Sequence, residues 1–193
     1  ERGVVASASY EARSMGVRSA MSSVLARKLC PDAVFVRSNF SRYREVSKQV
    51  HEIFDSVTPH IEPIALDEAF LDISGAHKLF GSSETIAWQL RNDIYVGVGL
   101  DCSVGVARSK LLAKLASEAA KPKASRRGVQ PGQGVFLVPP KEETSFLQAH
   151  PVEALWGVGS VTFARLKALG ISTVGELALV PEDVLVETLG TSH

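Results

Sequence analysis

The sequence is poor in cysteine, in aromatic side chains and in long apolar runs. Its two cysteines, Cys30 and Cys102, lie among apolar neighbours, which is typical of a reduced, intracellular protein without disulfide bonds or a zinc site. Aromatic residues make up 7% of the 193 residues, so a core has to be built from Val, Leu, Ile and Ala. No apolar run reaches the roughly 18 residues of a membrane helix, and no signal peptide opens the chain. We therefore expect no membrane partner.

The composition and the apolar spacing are those of a globular α/β chain. Apolar residues make up 45% and charged residues 22%, which excludes disorder for most of the chain. Helical spacing predicts helices over residues 39–58 and 109–121, and residues 61–74 predict a hairpin between them. Further segments predict helices over residues 19–30 and 84–96 and strands over residues 4–7, 34–36, 102–107 and 135–138. Residues 122–134 are predicted to be a linker with a short strand.

The charges are segregated along the chain, although the formal net charge is zero. Residues 1–51 carry nine Lys or Arg against four acids, residues 52–72 carry six acids and no Lys or Arg, and residues 108–127 carry seven bases against one acid. Basic segments hold polyanions such as phosphates, and carboxylate clusters hold the divalent ions that neutralise them. Ordinary scatter of surface charge is the alternative.

An adjacent carboxylate pair, Asp67 and Glu68, lies at the centre of the predicted hairpin in the segment PIALDEAFLD. Neighbouring side chains on a strand point to opposite faces, but at a tight turn both carboxylates reach one site. Phosphoryl-transfer enzymes use such carboxylates to hold two Mg²⁺ ions about 3.5–4 Å apart. For the bare dipeptide alone, a solvated turn between two strands is the better explanation.

The second strong helix prediction carries a stripe of lysines. At about 100° per residue, Lys110, Lys114 and Lys121 fall within about 40° of one another. A phosphate-binding face explains this stripe, and so does the solvated side of an amphipathic helix. Arg126 and Arg127, just beyond the helix, extend the positive charge and favour the first interpretation.

Near the start of the chain, the segment SYEAR (residues 9–13) is followed by GVRSAM (residues 16–21). Tyr10 offers a neutral hydroxyl donor, and Arg13 offers a forked and permanently charged one. Because they are three residues apart in a turn or a first helical turn, both side chains reach one triphosphate. A Tyr/Arg pair at a helix start without any ligand is the alternative.

The segment LWGVG (residues 155–159), followed by apolar residues at helical spacing, resembles a helix-hairpin-helix DNA-binding motif. Gly157 and Gly159 let the backbone turn closely, and we expect a positive φ angle at Gly159. The helix that follows begins with free N–H groups that suit a DNA phosphate. A plain αα-turn that needs glycine for packing is the alternative.

Taken in order, SYEAR with GVRSAM, ALDEAFLD and KLLAKLASEAAKP resemble the motifs of Y-family translesion DNA polymerases of the DinB (DNA polymerase IV) branch. The resemblance covers nearly the whole chain, and three ordered motifs are far more specific than any one of them. It implies an α/β (α+β) fold with a palm whose mixed β-sheet is flanked by helices, small fingers, and an all-helical thumb with the helix-hairpin-helix. The implied limits are residues 1–38 for partial fingers, 39–132 for the palm and 133–193 for the thumb.

The same resemblance implies roles for individual residues. By motif match, Asp67 and Glu68 would be the catalytic residues and the ligands of two Mg²⁺ ions, with Mn²⁺ as a substitute. The residues implied to bind the phosphates of the incoming nucleotide are Tyr10, Arg13 and Lys121, and those assigned to DNA binding are Lys110, Lys114, Gly157 and Gly159.

The chain also departs from the family pattern. Family members begin with a strand that bears another metal-binding Asp, followed by aromatic residues that exclude ribonucleotides, and they end with a little finger domain that grips DNA. Since these 193 residues include neither segment, we expect this piece alone to extend a primer poorly or not at all. Local differences are Ala65 in place of Ser, Ser109 in place of Asn, and Lys123-Ala124 in place of Asn-Gly.

The expected function is a template-directed, error-prone DNA polymerase that adds a deoxynucleotide to a primer 3′ end by two-metal phosphoryl transfer. Its partners would be primer–template DNA, a dNTP and, through parts outside this chain, a sliding clamp, in the bacterial cytoplasm at the nucleoid. The alternative is a non-catalytic DNA-binding or scaffold module of the same fold, but such a binder needs no acid-only stretch between basic ones. A palm-fold nucleotidyl cyclase would leave the LWGVG motif unexplained.

Overall fold

A computed structural model describes residues 3–190 as helices joined by short strands, which agrees with the predicted α/β class. The helices are α1 (Tyr10–Ser14), α2 (Ser23–Leu29), α3 (Phe40–Val57), α4 (His77–Phe80), α5 (Ser83–Val98), α6 (Lys110–Ala120), α7 (Glu143–Gln148), α8 (Ser160–Ala168), α9 (Val174–Leu177) and α10 (Glu182–Leu189). The strands are β1 (Ile61–Pro63), β2 (Ala69–Leu71), β3 (Val104–Val106), β4 (Lys123–Ser125), β5 (Gly128–Gln130) and β6 (Val135–Leu137), and a 3₁₀ turn covers Val152–Ala154. None of the helices within residues 3–190 has the length and apolar character needed to cross a bilayer.

The strands are three residues long and pair two by two. β1 and β2 form the predicted antiparallel hairpin, with Glu62 opposite Phe70. β4 and β5 form a second hairpin in the region predicted as a linker. β3 and β6 run parallel, with Gly105 opposite Phe136. The expected mixed sheet is thus divided into three separate pairs within the described residues, and residues of both β2 and β3 line one cleft.

The last strand, β6, lies just beyond the expected boundary between palm and thumb at residue 133. It is bonded to β3, and the backbone N–H of Val138 extends this pairing by donating to the carbonyl oxygen of Val106 at 2.9 Å. Val135 and Val138 are both buried. The boundary at residue 133 therefore falls before a strand that belongs, by its hydrogen bonds, with β3.

The two strongest helix predictions are confirmed by α3 and α6. Each helix has the side-chain cap that the sequence offers: Asn39 Oδ1 accepts from the backbone N–H of Arg42 at 3.1 Å, and Ser109 Oγ accepts from that of Leu112 at 3.3 Å. α5 extends slightly beyond its predicted end and stops at Gly99, whose φ of 74° is left-handed. Local capping chemistry therefore decides where these helices begin and end.

The region before residue 40 differs more from the prediction. α2 begins four residues later than expected, because Ala20 adopts a φ of 64° and Ser22, which caps α2, also forms a bridge with Val4. The strand predicted over residues 4–7 is reduced to that single bridge. Residues 34–36 form no strand.

The described residues contain two hydrophobic cores built from aliphatic side chains, as the low aromatic content predicts. The first core lies around α3 and α5, and its buried residues are Val57, Ala76, Ile86, Leu90 and Ile94. The second core lies in the C-terminal helices, and its buried residues are Val152, Leu166 and Ile171. The C-terminal helices therefore pack around a core of their own.

Strand β3 lies against helix α6 with almost no space between the two backbones. A Cβ atom placed on Gly105 would come 2.0 Å from the carbonyl oxygen of Ala113 and 2.2 Å from the backbone nitrogen of Ser117. Real Cβ atoms essentially never approach other atoms within 3.0 Å, so a side chain at this position would force the strand and the helix apart. Gly105 therefore sets the distance between β3 and α6.

Two contacts tie the start of the C-terminal helices to the β3–β6 pair. Nε and Nη2 of Arg108 donate to the two carboxylate oxygens of Glu143 at 2.8 and 2.6 Å. This bidentate hydrogen bond holds the pKa of the Glu143 carboxyl below its usual range. Phe136 of β6 stacks on Phe146 of α7 with ring centroids 5.4 Å apart.

Gly105→Ala is expected to lower the free energy of unfolding by about 1–3 kcal/mol, because the added methyl group separates β3 from α6. Urea denaturation followed by circular dichroism measures this loss. Gly75→Ala is the control, since a Cβ atom there meets nothing within 4 Å, and its unfolding midpoint should equal that of the wild type. A wild-type midpoint for Gly105→Ala would contradict the close approach of the two backbones.

Candidate active site

The acidic pair lies in the five-residue loop between β1 and β2, as the hairpin prediction required. The carbonyl of Glu68 closes this loop by accepting the backbone N–H of Ile64 at 2.9 Å. On the other side, the buried Ser47 of α3 donates from Oγ to the carbonyl oxygen of Leu66 at 2.6 Å. The loop backbone is therefore held at two points, while the side chain of Asp67 is exposed and that of Glu68 is half-buried.

Two lysines of α6 face this hairpin. Lys114 Nζ donates to Glu68 Oε2 at 2.8 Å, and Lys110 Nζ is paired with the carboxylate of Glu62. The predicted stripe therefore exists for these two residues. Its positive charge is partly neutralised by the acidic segment that the sequence places about 46 residues earlier.

Lys121 does not belong to the stripe. α6 ends at Ala120, and the backbone of Lys121 is extended, with φ −70° and ψ 155°. Its ammonium group pairs with Glu118 instead. The prediction that three lysines share one helical face is therefore wrong for Lys121, because the angular spacing of a helix no longer applies beyond its last residue.

Tyr10, Arg13 and Lys121 line one small cleft of about 290 Å³. The first two residues lie on the short helix α1, and Arg13 Cζ is 5.9 Å from the centroid of the Tyr10 ring. Arg13 Nε donates to the carbonyl oxygen of Ala8 at 2.9 Å, which orients the guanidinium group. The structure therefore brings together the three residues that the resemblance assigned to nucleotide phosphates.

Two more charged residues, Arg18 and Glu118, line the same cleft, and the sequence motifs assigned them no role. Arg18 Nη1 donates to the carbonyl oxygens of Arg13 at 2.6 Å and Val17 at 2.8 Å. The signal for Arg18 was its place in GVRSAM, five residues after Arg13. The signal for Glu118 was its position as the one acid in the basic segment 108–127.

The LWGVG segment forms a turn immediately before α8. Gly157 has a φ of 94°, whereas Gly159, the N-cap of α8, has a φ of −83° and offers no side-chain hydrogen bond to the first turn. The expected positive φ at Gly159 is therefore wrong, and the left-handed residue is Gly157. A Cβ atom at either glycine would meet nothing within 4 Å, so the turn is open to an approaching ligand.

Trp156 brings this turn next to the acidic hairpin. Its ring centroid lies 6.4 Å from that of Phe70 in β2 and 5.8 Å from Lys114 Nζ. Lys110 Nζ lies 5.9 Å from the centroid of Phe70. Trp156 is still 63% exposed. Sequence reasoning missed this contact, since nothing in the local pattern of LWGVG indicates a distant hairpin as a neighbour.

A larger cleft of about 760 Å³ joins the charged groups of the hairpin to those of the small cleft. Asp67, Glu68 and Lys114 line it from the hairpin side, and Tyr10 and Lys121 line it from the side of the small cleft. The two carboxylates and these donors therefore line the same cleft, but most of its remaining lining is apolar, including Phe54, Leu71, Ile86, Leu90 and Ile94. It is these charged and polar groups, and not the cavity as a whole, that suit a ligand with phosphates and a divalent ion.

The acidic loop supplies only part of a metal coordination sphere. Across residues 3–190, no three His, Cys, Asp or Glu side chains lie close enough to hold a metal ion together. Mg²⁺ is commonly bound through one or two carboxylates together with waters and substrate phosphates. Asp67 and Glu68 therefore fit an Mg²⁺ ion that is also bound to phosphate, provided that Glu68 separates from Lys114.

The chain is similar in sequence to a known protein family and to several curated proteins. The family model described as the impB/mucB/samB family matches residues 1–118. The DNA polymerase IV of Desulfatibacillum aliphaticivorans is 44% identical over 98% of this chain and 45% of its own length. That of Halorhodospira halophila is 46% identical over 91% of this chain and 47% of its own length. The chain thus spans about half the length of the curated relatives that it matches.

Solved structures give the same result. The crystal structure of DinB from Sulfolobus solfataricus matches with a TM-score of 0.83 at 28% identity, over 98% of this chain and 53% of that one. The insertion ternary complex of Dbh DNA polymerase matches with a TM-score of 0.83 at 29% identity, over 98% of this chain and 52% of that one. The structural similarity therefore extends over nearly all of the chain.

Proposed function

The chain belongs to the impB/mucB/samB family, in the DinB branch of the Y-family polymerases, and on that basis we propose that it carries template-directed, error-prone DNA polymerase activity. The observation that supports this most strongly is the cavity that a carboxylate pair shares with phosphate-binding donors. In the proposed reaction, the primer 3′ oxygen attacks the α-phosphorus of a dNTP. The primer hydroxyl gives its proton to water, a bond forms between its oxygen and the α-phosphorus, and the bond from the α-phosphorus to the bridging oxygen of the β-phosphate breaks, which releases pyrophosphate.

Asp67 and Glu68 are the proposed catalytic carboxylates. When bound there, two Mg²⁺ ions, or Mn²⁺ in their place, would neutralise phosphate charge and lower the pKa of the primer hydroxyl. The chain itself contributes by holding these two carboxylates in position. The bond from Ser47 to Leu66 and the closing bond from Ile64 to Glu68 keep the loop in one conformation, so little order has to be gained when substrate binds.

Tyr10, Arg13 and Lys121 are the proposed ligands of the nucleotide's triphosphate. Arg13 supplies a charged fork, Tyr10 a neutral hydroxyl and Lys121 a compact point charge. Lys121 would exchange Glu118 for a phosphate. That exchange is inexpensive, because a partly exposed ion pair contributes only about 0–1 kcal/mol.

DNA would bind at the turn before α8 and along the start of α6. The open backbone at Gly157 and Gly159, followed by the uncapped first turn of α8, suits a DNA phosphate. Lys110 is 58% exposed and Lys114 is 28% exposed, so both are proposed to contact the DNA backbone after leaving their carboxylate partners. Such contacts fix the duplex in place without reading its sequence.

The proposed domain limits follow the fingers, palm and thumb of the family, with one change. The fingers would cover residues 1–38, and the palm would run from residue 39 to residue 138 so that it includes β6, with the thumb following.

Primer–template DNA and dNTP are the proposed partners, and a sliding clamp is proposed through parts outside this chain. Because the matching DNA polymerase IV proteins are bacterial, the proposed location is the cytoplasm at the nucleoid.

Asp67→Asn and Glu68→Gln are expected to lower primer extension by about 100-fold or more while duplex binding stays within a few-fold, since these groups act on the reacting phosphates. Extension of a labelled primer by the native gene product, with Mg²⁺ and dNTP, measures the effect. Glu62→Gln is the matched control, because this exposed carboxylate lies on the same hairpin outside the loop. If both loop variants extend normally, the carboxylates have no catalytic role and the non-catalytic DNA-binding module becomes the better proposal.

Arg13→Ala is expected to raise the KM for dNTP roughly 10- to 150-fold, because a charged hydrogen bond contributes about 1.5–3 kcal/mol. Tyr10→Phe should raise it less, since a neutral hydroxyl contributes about 0.5–1.5 kcal/mol. Steady-state rates of primer extension at varied dNTP concentration give the KM of both variants. Arg127→Ala, in the turn between β4 and β5, is the control. An Arg13→Ala variant that changes only DNA affinity would assign this residue to the template instead.

Gly159→Val is expected to weaken binding to duplexes of any sequence by a similar factor, because its side chain would block the approach of a phosphate. The variant should fold normally, since the φ of Gly159 is −83° and the space around it is open. Fluorescence anisotropy across a salt series measures binding, which should fall steeply with salt. Gly75→Val is the control outside this turn. If folded Gly159→Val binds like the wild type at every salt concentration, the turn has no role in DNA binding.

A further inference from the structure

The ammonium group of Lys114 lies between two groups that belong to different parts of the fold. It donates to Glu68 Oε2 at 2.8 Å and lies 5.8 Å from the centroid of the Trp156 ring, within the range of a cation–π contact. The Glu68–Lys114 pair is more shielded than its neighbour on the same hairpin. Side-chain exposure is 37% for Glu68 and 28% for Lys114, against 56% for Glu62 and 58% for Lys110.

This arrangement conflicts with the proposed metal role of Glu68. A divalent ion and an ammonium group at the same carboxylate repel each other, and the ion carries the larger charge. α6 itself is held against β3 by the close approach at Gly105, so its backbone does not relieve the conflict. The lysine side chain has four rotatable carbon bonds and moves instead. The aromatic face of Trp156 is the acceptor already within reach.

We propose that Lys114 is the resident counter-cation of Glu68, that a divalent ion must displace it, and that, when no DNA is bound, the displaced ammonium moves toward Trp156. Lys114 is thereby a positioning residue rather than a catalytic one. Without metal it holds the carboxylate in place, and with metal it strengthens its contact with the turn that carries Gly157 and Gly159. The inference rests on the proposed function, because it assumes that Glu68 binds the ion.

The first experiment measures the Mn²⁺ affinity of the native gene product from the electron paramagnetic resonance signal of the free ion, because the family pattern places a further metal-binding Asp before these 193 residues. Lys114→Met removes the competing charge, so it should bind Mn²⁺ about two- to five-fold more tightly than the wild type. Lys110→Met is the matched control on the same helix, and its affinity should equal that of the wild type. Lys114→Arg keeps the charge and should also behave like the wild type. Unchanged or weaker binding by Lys114→Met overturns the proposal.

The second experiment uses Trp156 as the reporter. The chain has two tryptophans, so Trp88→Phe leaves Trp156 as the sole indole. Titration with MgCl₂ at constant ionic strength should give a saturable change in its emission, because the ammonium group approaches the ring. The change should persist with Lys110→Met and disappear with Lys114→Met or Glu68→Gln. The same response in the Lys114→Met variant would contradict the displacement.

The two experiments separate failure of this inference from failure of the proposed function. If Glu68→Gln loses Mn²⁺ binding while the wild type and Lys114→Met bind it equally, the metal site stands. The proposal that Lys114 is the counter-cation of Glu68 is then rejected. Absence of any Glu68-dependent binding rejects the metal site, and the inference is rejected with it. Circular dichroism of each variant confirms that the fold is retained.

Discussion

The close approach of β3 and α6 at Gly105 is the constraint on which the rest of the structure depends. Because no side chain separates the two backbones, the helix lies at a fixed height above the strand. The positions of two lysines and the path of the chain into its C-terminal helices depend on that contact. α6 places Lys114 beside the acidic loop, and because α6 ends at Ala120, Lys121 lies just beyond it in the small cleft. β3 pairs with β6, after which the chain continues into its C-terminal helices.

The second organising feature is that the segregated charges of the sequence neutralise one another in the fold. The basic helix α6 lies over the acidic hairpin, so Lys110 and Lys114 pair with Glu62 and Glu68, whereas Lys121 pairs locally with Glu118 of α6 itself. Partly exposed pairs of this kind contribute little to stability, about 0–1 kcal/mol each. They are therefore easily exchanged for stronger partners. A divalent ion competes for the carboxylate and a phosphate competes for the ammonium group, so each ligand replaces one partner of an ion pair.

Much of the fold was predictable where local chemistry decides the conformation. Helices α3 and α6 carry their own caps in Asn39 and Ser109, and the hairpin around Asp67 follows from its flanking apolar arms. Prediction failed where a neighbour distant in sequence decides. Residues 34–36 have the composition of a strand but no partner strand, and α2 starts late because Ser22 bridges to Val4. Angular spacing placed Lys121 on the stripe, since a helical projection does not show that the helix ends one residue earlier.

The sequence by itself determined which residues are candidates to bind metal, phosphate and DNA, because carboxylate pairs, Tyr/Arg donors and glycine turns are properties of short segments. It also determined the family, through three motifs in a fixed order. Only the tertiary structure decided which of these groups meet. Trp156 lies beside Lys114 and Phe70, and Lys121 lines the cleft of Arg13, because packing of whole elements brings together residues that no local pattern connects. Distances between such groups are set by contacts like that at Gly105, and a linear pattern carries no information about them.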